Sequence, residues 1–153
     1  MDGSFTIGQE VHLEPSGIFA RVRGIQMHKN NSDKALPGNR VAINLTGVEH
    51  GEIKRGDILT IPATLVLSEA FDVHLTVLDD APNVLKHNMF VTFHHGSSES
   101  IVKLRLLEGD TAEPGARTWA QIKCENPLPV SKGDHFVIRS NMHTLGGGKI
   151  VDI

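Results

Sequence analysis

Short apolar segments alternate with turn-forming residues along the whole chain. In the segment 73–78, Val73, Leu75 and Val77 alternate with His74 and Thr76, as one buried face of a strand requires. Helical periodicity is nearly absent, and Gly, Pro and Asn separate the apolar runs. The pattern predicts ten strands, at residues 9–13, 19–27, 40–45, 57–61, 71–78, 90–94, 101–107, 118–123, 135–139 and 149–153. Many short strands of this kind predict an all-β protein built from antiparallel barrels or sandwiches.

A short sequence element is repeated near the end of each half of the chain. Gly56-Asp57 and Gly133-Asp134 each precede an apolar run, and Gly8-Gln9 is a looser third copy. Each pair predicts a tight turn that leads into a strand, because Gly accepts a positive φ at little cost. The repetition favours two units. Because proline resists strand continuation, the Ile-Pro-Ala-Thr segment at 61–64 is the predicted linker, which gives domains at residues 1–62 and 63–153.

Composition and charge narrow the class of protein. The chain has 153 residues, of which 39% are hydrophobic and 22% are charged. Its net charge of −3 argues against a broad basic surface for non-specific binding of nucleic acid. Cys124 is the single cysteine, which excludes an internal disulfide framework and fits a reducing compartment. No apolar run approaches the roughly 18 residues that span a bilayer, and the first residues do not resemble a secretory leader. We therefore expect a cytoplasmic protein without a membrane partner.

The motifs of common active sites are missing or incomplete. The glycine-rich segment 146–148 is followed by Lys149, but Ile150 stands where a phosphate-binding loop requires Ser or Thr, and His143 replaces its first glycine. The sequence predicts a flexible turn there, leading into the last strand. No nucleophile elbow surrounds the serines at 97, 98 and 100. Cys124 is predicted to be a small buried hydrophobic residue. No catalytic residue is predicted.

The chain contains nine histidines, which are candidate metal ligands. His94 and His95 are adjacent, however, and neighbours on a strand point to opposite faces, so that they do not easily share one ion. No zinc-type His spacing occurs in the chain. We therefore predict no metal ligands. A stand-alone enzyme or metal protein that uses His94, His95 and His143 remains the alternative from a different functional class.

Three cationic residues are placed where they favour anion binding. Arg40 follows the Pro37-Gly38 turn and opens a strand, and a guanidinium offers several donors to a small anion. Lys103 and Arg105 lie two apart on one predicted strand and therefore on one face, a spacing that suits phosphate contacts. From charge and spacing alone, a solvated surface position is the more common explanation for each of the three residues.

Longer blocks of the sequence resemble one family. In the first half these are ARVRGIQMH at 20–28, ALPGNRVAINLTG at 35–47 and IKRGDIL at 53–59. In the second half they are FHH at 93–95, LLE at 106–108, PL at 127–128, HFVIR at 135–139 and TLGGG at 144–148. Their order and spacing resemble the second and third domains of SelB, the selenocysteine-specific translation elongation factor.

The resemblance implies a fold and a function. In that family the second and third domains are small antiparallel β-barrels that bind aminoacyl-tRNA and deliver it to the ribosome. It also implies that the first barrel here is a partial, N-terminally truncated one. The general elongation factor EF-Tu carries G-E-N-V where this chain has Gly38-Asn39-Arg40-Val41. SelB-type factors have arginine at this place, which implies that Arg40 faces the aminoacyl group.

Charge explains how Arg40 would distinguish the aminoacyl groups. A selenol is more acidic than a serine hydroxyl and is anionic near neutral pH, so a cationic donor favours selenocysteine over serine. The resemblance further implies that Gln26 and His28 lie where EF-Tu lines its pocket for the terminal adenosine of the tRNA. Lys103 and Arg105 are the expected contacts to the tRNA backbone in the second barrel.

Further expectations follow from the family domains that this sequence does not contain. Without a GTPase domain the chain itself is expected to be neither an enzyme nor a holder of cofactors, since GTP and magnesium belong to that domain of the parent. The expected partners are selenocysteinyl-tRNA, the GTPase domain and the ribosome, with a messenger RNA hairpin bound only through C-terminal modules. The alternative within the same class is a barrel pair from another EF-Tu-like translational GTPase with a different acyl-tRNA preference.

Overall fold

A computed structural model describes residues 3–153, which separate into one unit that ends at Leu65 and a second that spans Val66–Ile153. The described residues contain strands, turns and one short 3-10 helix, which confirms the all-β prediction. Between Thr60 and Val66 the chain forms turns around Pro62 instead of continuing a strand.

The described part of the first unit contains seven strands and the 3-10 helix. These are β1 (Phe5–Thr6), β2 (Glu10–Glu14), β3 (Ile18–Met27), β4 (Asn30–Ser32), β5 (Lys34–Ala35), β6 (Val41–Thr46), the helix His50–Glu52 and β7 (Ile58–Thr60). The main sheet has the antiparallel order β4-β3-β2-β7, with β6 also paired to β3. Strands β1 and β5 form a separate pair. The result is a half-open barrel.

The long strand β3 organises the first unit. Its inward residues include Val22 and Ile25, which are almost fully buried and pack in one cluster with Val11. Its outward residues are polar for most of the strand. This alternation is what a sheet with one solvated face requires. The pairing of β3 with β6 shifts register between Val22 and Gly24, so the strand carries a β-bulge at this point.

The second unit is a closed barrel. Its strands are β8 (Val66–Val77), β9 (Leu85–Lys86), β10 (Met89–His95), β11 (Ser98–Leu106), β12 (Thr111–Ala112), β13 (Arg117–Val130), β14 (His135–Ser140) and β15 (His143–Asp152). The barrel order is β10-β11-β13-β8-β15-β14, and β9 and β12 form a small additional pair. All the pairs in the barrel are antiparallel. Closure leaves the barrel without an unpaired edge.

The barrel interior confirms the alternation predicted for β8. Val73, Leu75 and Val77 are at most 1% exposed and lie in one apolar cluster. Phe93 stands near the centre, with ring centroids 5.5 Å from Phe71 and 5.2 Å from Phe136. Such aromatic pairs add to the stabilisation that burial of their area provides.

The repeated turns share one geometry. In each, a glycine at positive φ is followed by a residue whose side-chain oxygen accepts a hydrogen bond from the backbone nitrogen three residues earlier. The three bonds are Lys54 N to Asp57 Oδ2 (2.8 Å), Ser131 N to Asp134 Oδ2 (3.0 Å) and Thr6 N to Gln9 Oε1 (3.0 Å). The predicted tight turns are therefore confirmed, and the looser copy at Gly8 uses an amide in place of a carboxylate.

The prediction of a flexible turn at 146–148 is wrong, because these glycines lie within β15. A Cβ added at Gly146 would lie 2.4 Å from the Thr76 carbonyl oxygen, and one at Gly148 would lie 1.9 Å from that of His74. These separations are far below ordinary contact distance, so the backbones of β8 and β15 approach closely only because side chains are missing. The glycines serve close strand packing.

The single cysteine is a core residue, as its sequence context predicted. Cys124 lies on β13 with 6% of its surface exposed, and burial raises the pKa of its thiol to about 11. The folded state therefore favours the neutral thiol, and this contribution to stability is lost as the pH rises from the pKa of the unfolded thiol towards 11.

We expect Cys124 to react slowly with iodoacetamide at pH 8 in the native protein. Only a small fraction of the thiol is ionised there, and the barrel wall restricts access. Full unfolding in guanidinium chloride is expected to increase the alkylation rate at least about tenfold, since each pKa unit changes the thiolate fraction about tenfold. Mass spectrometry of timed samples measures both rates, and equal rates would contradict the buried placement.

Candidate functional site

The outer face of the β3–β6 pair carries the residues that the sequence singled out in the first unit. Along β6 the side chains alternate, with Ala42 and Asn44 exposed and Val41 and Ile43 half-buried against the core. Arg40 directly precedes β6 and is exposed. Gln26 pairs in register with Ala42 across the ladder. The register therefore places Gln26 near the end of the ladder beyond which Arg40 lies.

A cleft of about 660 Å³ opens on this face. Its polar walls include Arg23, Gln26, Asn31, Asp33 and Asn44. The volume lies within the range of clefts that hold small molecules or single nucleosides. The walls offer amide groups, a guanidinium and a carboxylate, a donor and acceptor set that suits a polar ligand such as a nucleoside. We call this feature the β3–β6 cleft.

Hydrogen bonding and the adjoining turn fix the position of Gln26. Its Nε2 donates to Asn31 Oδ1 at 3.1 Å, from β3 to the neighbouring β4. The two-residue turn between these strands has His28 at φ 51° and Lys29 at φ 68°. Positive φ at both central positions defines a type I′ hairpin, which normally uses Asn or Gly. His28 is exposed at this turn, beyond the Met27–Val41 pair and thus at the same end of the ladder as Arg40.

Arg40 is held at the surface by the turn before it. Gly38 has φ 77°, and Asn39 Nδ2 donates to the Pro37 carbonyl oxygen at 3.2 Å. Within the described residues Arg40 forms no ion pair or hydrogen bond, so its guanidinium is open to solvent. A second cleft of about 270 Å³ lies beside it, lined by Leu36, Asn39 and other residues of the turn. The geometry leaves a cation available for an external anion.

Lys103 and Arg105 lie in the second unit, on the outer face of β11 as their spacing predicted. The Lys103 Nζ lies 5.3 Å above the ring centroid of Phe90, which is 65% exposed. Arg105 Nη1 donates to Gln121 Oε1 at 3.2 Å. Both cations therefore contact neighbouring side chains and still face solvent in part, Arg105 more than Lys103. With Lys123 opposite Lys103 in register, the outer face of this part of the barrel is basic.

The sequence analysis missed several residues of the β3–β6 cleft, among them Asn31, Asn44 and the two charged residues Arg23 and Asp33. Arg23 and Asp33 both line it, and both are exposed. The usable signal was Gly24, since an isolated glycine inside a strand pattern indicates a bulge or a close approach of the backbone. Asp33 had no such signal, because it lies between the short strands β4 and β5, which the apolar pattern did not predict.

The histidine pair is divided between the two faces of β10, as expected. His94 is half-buried, whereas His95 is buried with its Nε2 2.9 Å from Asp134 Oδ2. His143 is exposed at the start of β15. Among residues 3–153, no group of three or more His, Cys, Asp or Glu side chains is placed to hold a metal ion. That same part of the chain includes no helix with the length and apolar character needed to cross a bilayer.

Comparison with known proteins matches both halves of the chain. The family model described as selenocysteine-specific elongation factor, beta-barrel domain, matches residues 72–153, and the model of elongation factor Tu domain 2 matches residues 1–60. A selenocysteine-specific elongation factor from Desulfomicrobium baculatum is 40% identical over 99% of this chain. The factor of the same name from Haemophilus influenzae is 29% identical over the same share. The chain covers 24% of the length of each relative.

Proposed function

Because the chain belongs to the family of selenocysteine-specific elongation factors, we propose that it forms the aminoacyl-tRNA-binding region of such a factor, which delivers selenocysteinyl-tRNA to the ribosome. The observation that carries this proposal is the β3–β6 register, which pairs Gln26 of the cleft with Ala42, two residues after the exposed Arg40. The first unit then offers a cleft that fits a nucleoside and, at the end of the same ladder, the exposed cation Arg40.

In this proposal the β3–β6 cleft receives the terminal adenosine of the tRNA. Gln26 and Asn44 supply amide donors and acceptors for base edges or ribose hydroxyls. The bond between Gln26 and Asn31 orients the Gln26 amide before the RNA arrives, which lowers the entropic cost of binding. His28, on the adjoining hairpin turn, contacts the same RNA end from the rim.

Arg40 is proposed to bind the selenolate of the esterified selenocysteine. The aminoacyl group is attached to the terminal ribose, so a nucleoside in the cleft brings it to the end of the ladder where Arg40 lies. The guanidinium gains a charge-assisted hydrogen bond with the selenolate that a neutral serine hydroxyl does not offer. Discrimination between the two charged forms of one tRNA then follows from charge.

The second barrel is proposed to contact the tRNA backbone. Lys103 and Arg105 share the outer face of β11, and cations at this spacing along a strand suit successive phosphates. Such contacts position the RNA and carry no sequence information. They complement the reading of the 3′ end by the first unit.

The remaining functions of the factor are proposed to belong to other domains. The glycine-rich segment 146–148 lies in a strand packed against backbone atoms and offers no phosphate-binding loop. GTP and magnesium are therefore assigned to a GTPase domain, and messenger RNA hairpin binding to C-terminal modules. We place the complete factor in the cytoplasm, with the ribosome as its target.

The test of the cleft is Gln26→Ala in the complete factor loaded with GTP. Loss of an oriented amide is expected to weaken binding of selenocysteinyl-tRNA and seryl-tRNA alike, by about five- to tenfold. Fluorescence titration of labelled tRNA measures both constants. Thr46→Ala, on the same outer face of β6 but outside the cleft, is the control and is expected to change neither constant by more than about twofold.

Two outcomes would contradict the proposal. If the unmodified factor binds no charged tRNA, this chain is not an aminoacyl-tRNA-binding region. If it binds ordinary elongator tRNAs as tightly as selenocysteinyl-tRNA, the alternative of another EF-Tu-like GTPase is favoured, and the role assigned to Arg40 fails while the fold remains.

A further inference from the structure

Arg23 occupies the β-bulge of β3. Val22 pairs with Leu45 and Gly24 pairs with Asn44, which are consecutive on β6, so Arg23 is the extra residue without a partner opposite. Exposed and buried residues alternate regularly up to Arg23, and the alternation breaks after it, at Gly24 and Ile25. Bulges are frequent beside binding sites. Arg23 is exposed and lines the β3–β6 cleft.

Arg21 lies two residues earlier, in the regular part of the strand, and provides a comparison for Arg23. Its Nη2 lies 2.9 Å from Glu10 Oε1, in an exposed ion pair, and it lines a different cleft with Phe19 and Thr46. Arg23 makes no ion pair or hydrogen bond with any described residue. Asp33 lines the same cleft but forms no ion pair with Arg23. Arg23 is thus a cation in the wall of a polar cleft with no partner among residues 3–153.

The chemistry of this position favours a phosphate. A guanidinium presents parallel N–H donors that match two oxygens of one phosphate, and the match is closer than for any neutral group of a nucleoside. A nucleoside at the end of an RNA strand is joined to the next nucleotide by a phosphodiester. A cation in the wall of a cleft that holds the nucleoside is well placed for that group.

We propose that Arg23 is a positioning residue that binds the phosphodiester preceding the terminal nucleoside in the β3–β6 cleft. This inference rests on the proposed function and names one further contact of that site. It assigns the two arginines different tasks: Arg23 holds the RNA backbone whatever the amino acid, and Arg40 distinguishes the amino acid.

The experiment compares Arg23→Gln with Arg21→Gln in the complete factor. Selenocysteinyl-tRNA, seryl-tRNA and uncharged tRNA are titrated at several salt concentrations. Arg23→Gln is expected to weaken all three by a similar factor of about five to twenty, and to reduce the slope of log K against log salt by about 0.7, the value for one phosphate contact to a single strand. Arg21→Gln removes the same charge from the same strand and is expected to leave the slope unchanged.

Arg23→Lys keeps the charge and is expected to restore the slope with part of the affinity, which also controls for damage to the bulge. An unchanged slope in Arg23→Gln, or a slope change of equal size in Arg21→Gln, would overturn the proposal. A loss confined to selenocysteinyl-tRNA would also overturn it, since Arg23 would then read the amino acid. Failure of the unmodified factor to bind any tRNA would instead refute the proposed function.

Discussion

Replacing Arg40 with alanine in the complete factor is expected to weaken selenocysteinyl-tRNA binding at least about tenfold more than seryl-tRNA binding. Hydrogen bonds to charged groups contribute about 1.5–3 kcal/mol, and 1.4 kcal/mol is a factor of ten in affinity. Arg40 is exposed and has no ion-pair partner among the described residues, so its removal leaves no unpaired charge in the protein. The loss therefore reports the contact with the ligand.

The pH dependence of this discrimination gives an independent readout. Selection by Arg40 requires an anionic selenol, so the preference for selenocysteine should decrease as the pH is lowered towards the pKa of the selenol. Arg40→Lys is expected to retain part of the preference, because it keeps a positive charge without the planar donor pair. Equilibrium titration of both charged tRNAs across pH measures the effect.

Arg55→Ala provides the matched control for Arg40→Ala. Arg55 is also an exposed arginine of the first unit, but it lies in the turn before Gly56 and lines none of the described clefts. Its removal should change the two affinities equally or not at all. If Arg40→Ala weakens both charged tRNAs by the same factor, Arg40 does not select the amino acid, although it still contributes to RNA binding.

The largest expected effect on stability belongs to Gly148→Ala. The added Cβ would lie 1.9 Å from the His74 carbonyl oxygen and 2.9 Å from its carbonyl carbon, so β8 and β15 would have to separate. These atoms belong to the backbone of a closed barrel, and no side-chain rotation relieves the overlap. We expect the free energy of unfolding to fall by at least about 3 kcal/mol, the upper part of the range for overpacked cores.

Thermal unfolding followed by circular dichroism measures this change. Gly51→Ala is the control, because Gly51 lies in the short 3-10 helix at a negative φ and an added Cβ meets nothing within 4 Å. It should change stability by no more than about 0.5 kcal/mol. Equal stability of Gly148→Ala and the unmodified protein would show that the strands do not approach as closely as described.

Local patterns of the sequence predicted the features that depend on neighbouring residues alone. The alternation at Val73, Leu75 and Val77 gave the buried face of β8, because the period of a strand is two wherever one face is covered. The Gly-Asp pairs gave the tight turns, since the glycine conformation and the hydrogen bond of the aspartate are both completed within four residues. The family resemblance likewise followed from blocks of consecutive residues and was confirmed.

The features that the sequence failed to predict depend on strands that are distant along the chain. Gly148 looked like part of a turn, and only the position of β8 shows that a side chain there would meet the His74 carbonyl. Arg23 looked like any outward residue of β3, and only the register with β6 shows that it is the bulged residue. Sequence spacing does not contain the register between distant strands. Gly24 indicated a bulge near this point, but the register is needed to assign the bulged residue and to place Gly148 against His74.

By itself, then, the sequence determined the all-β class, the repeated turns, the core position of Cys124 and the family. The tertiary structure decided which side chains share a face. It placed Gln26 near the end of the β3–β6 ladder beside which Arg40 lies, put Arg23 at the bulge further along the same pair, and left Arg21 in an ion pair beside a different cleft. The physical reason is that strand identity follows from local alternation, whereas a binding face is made by the pairing of separate strands.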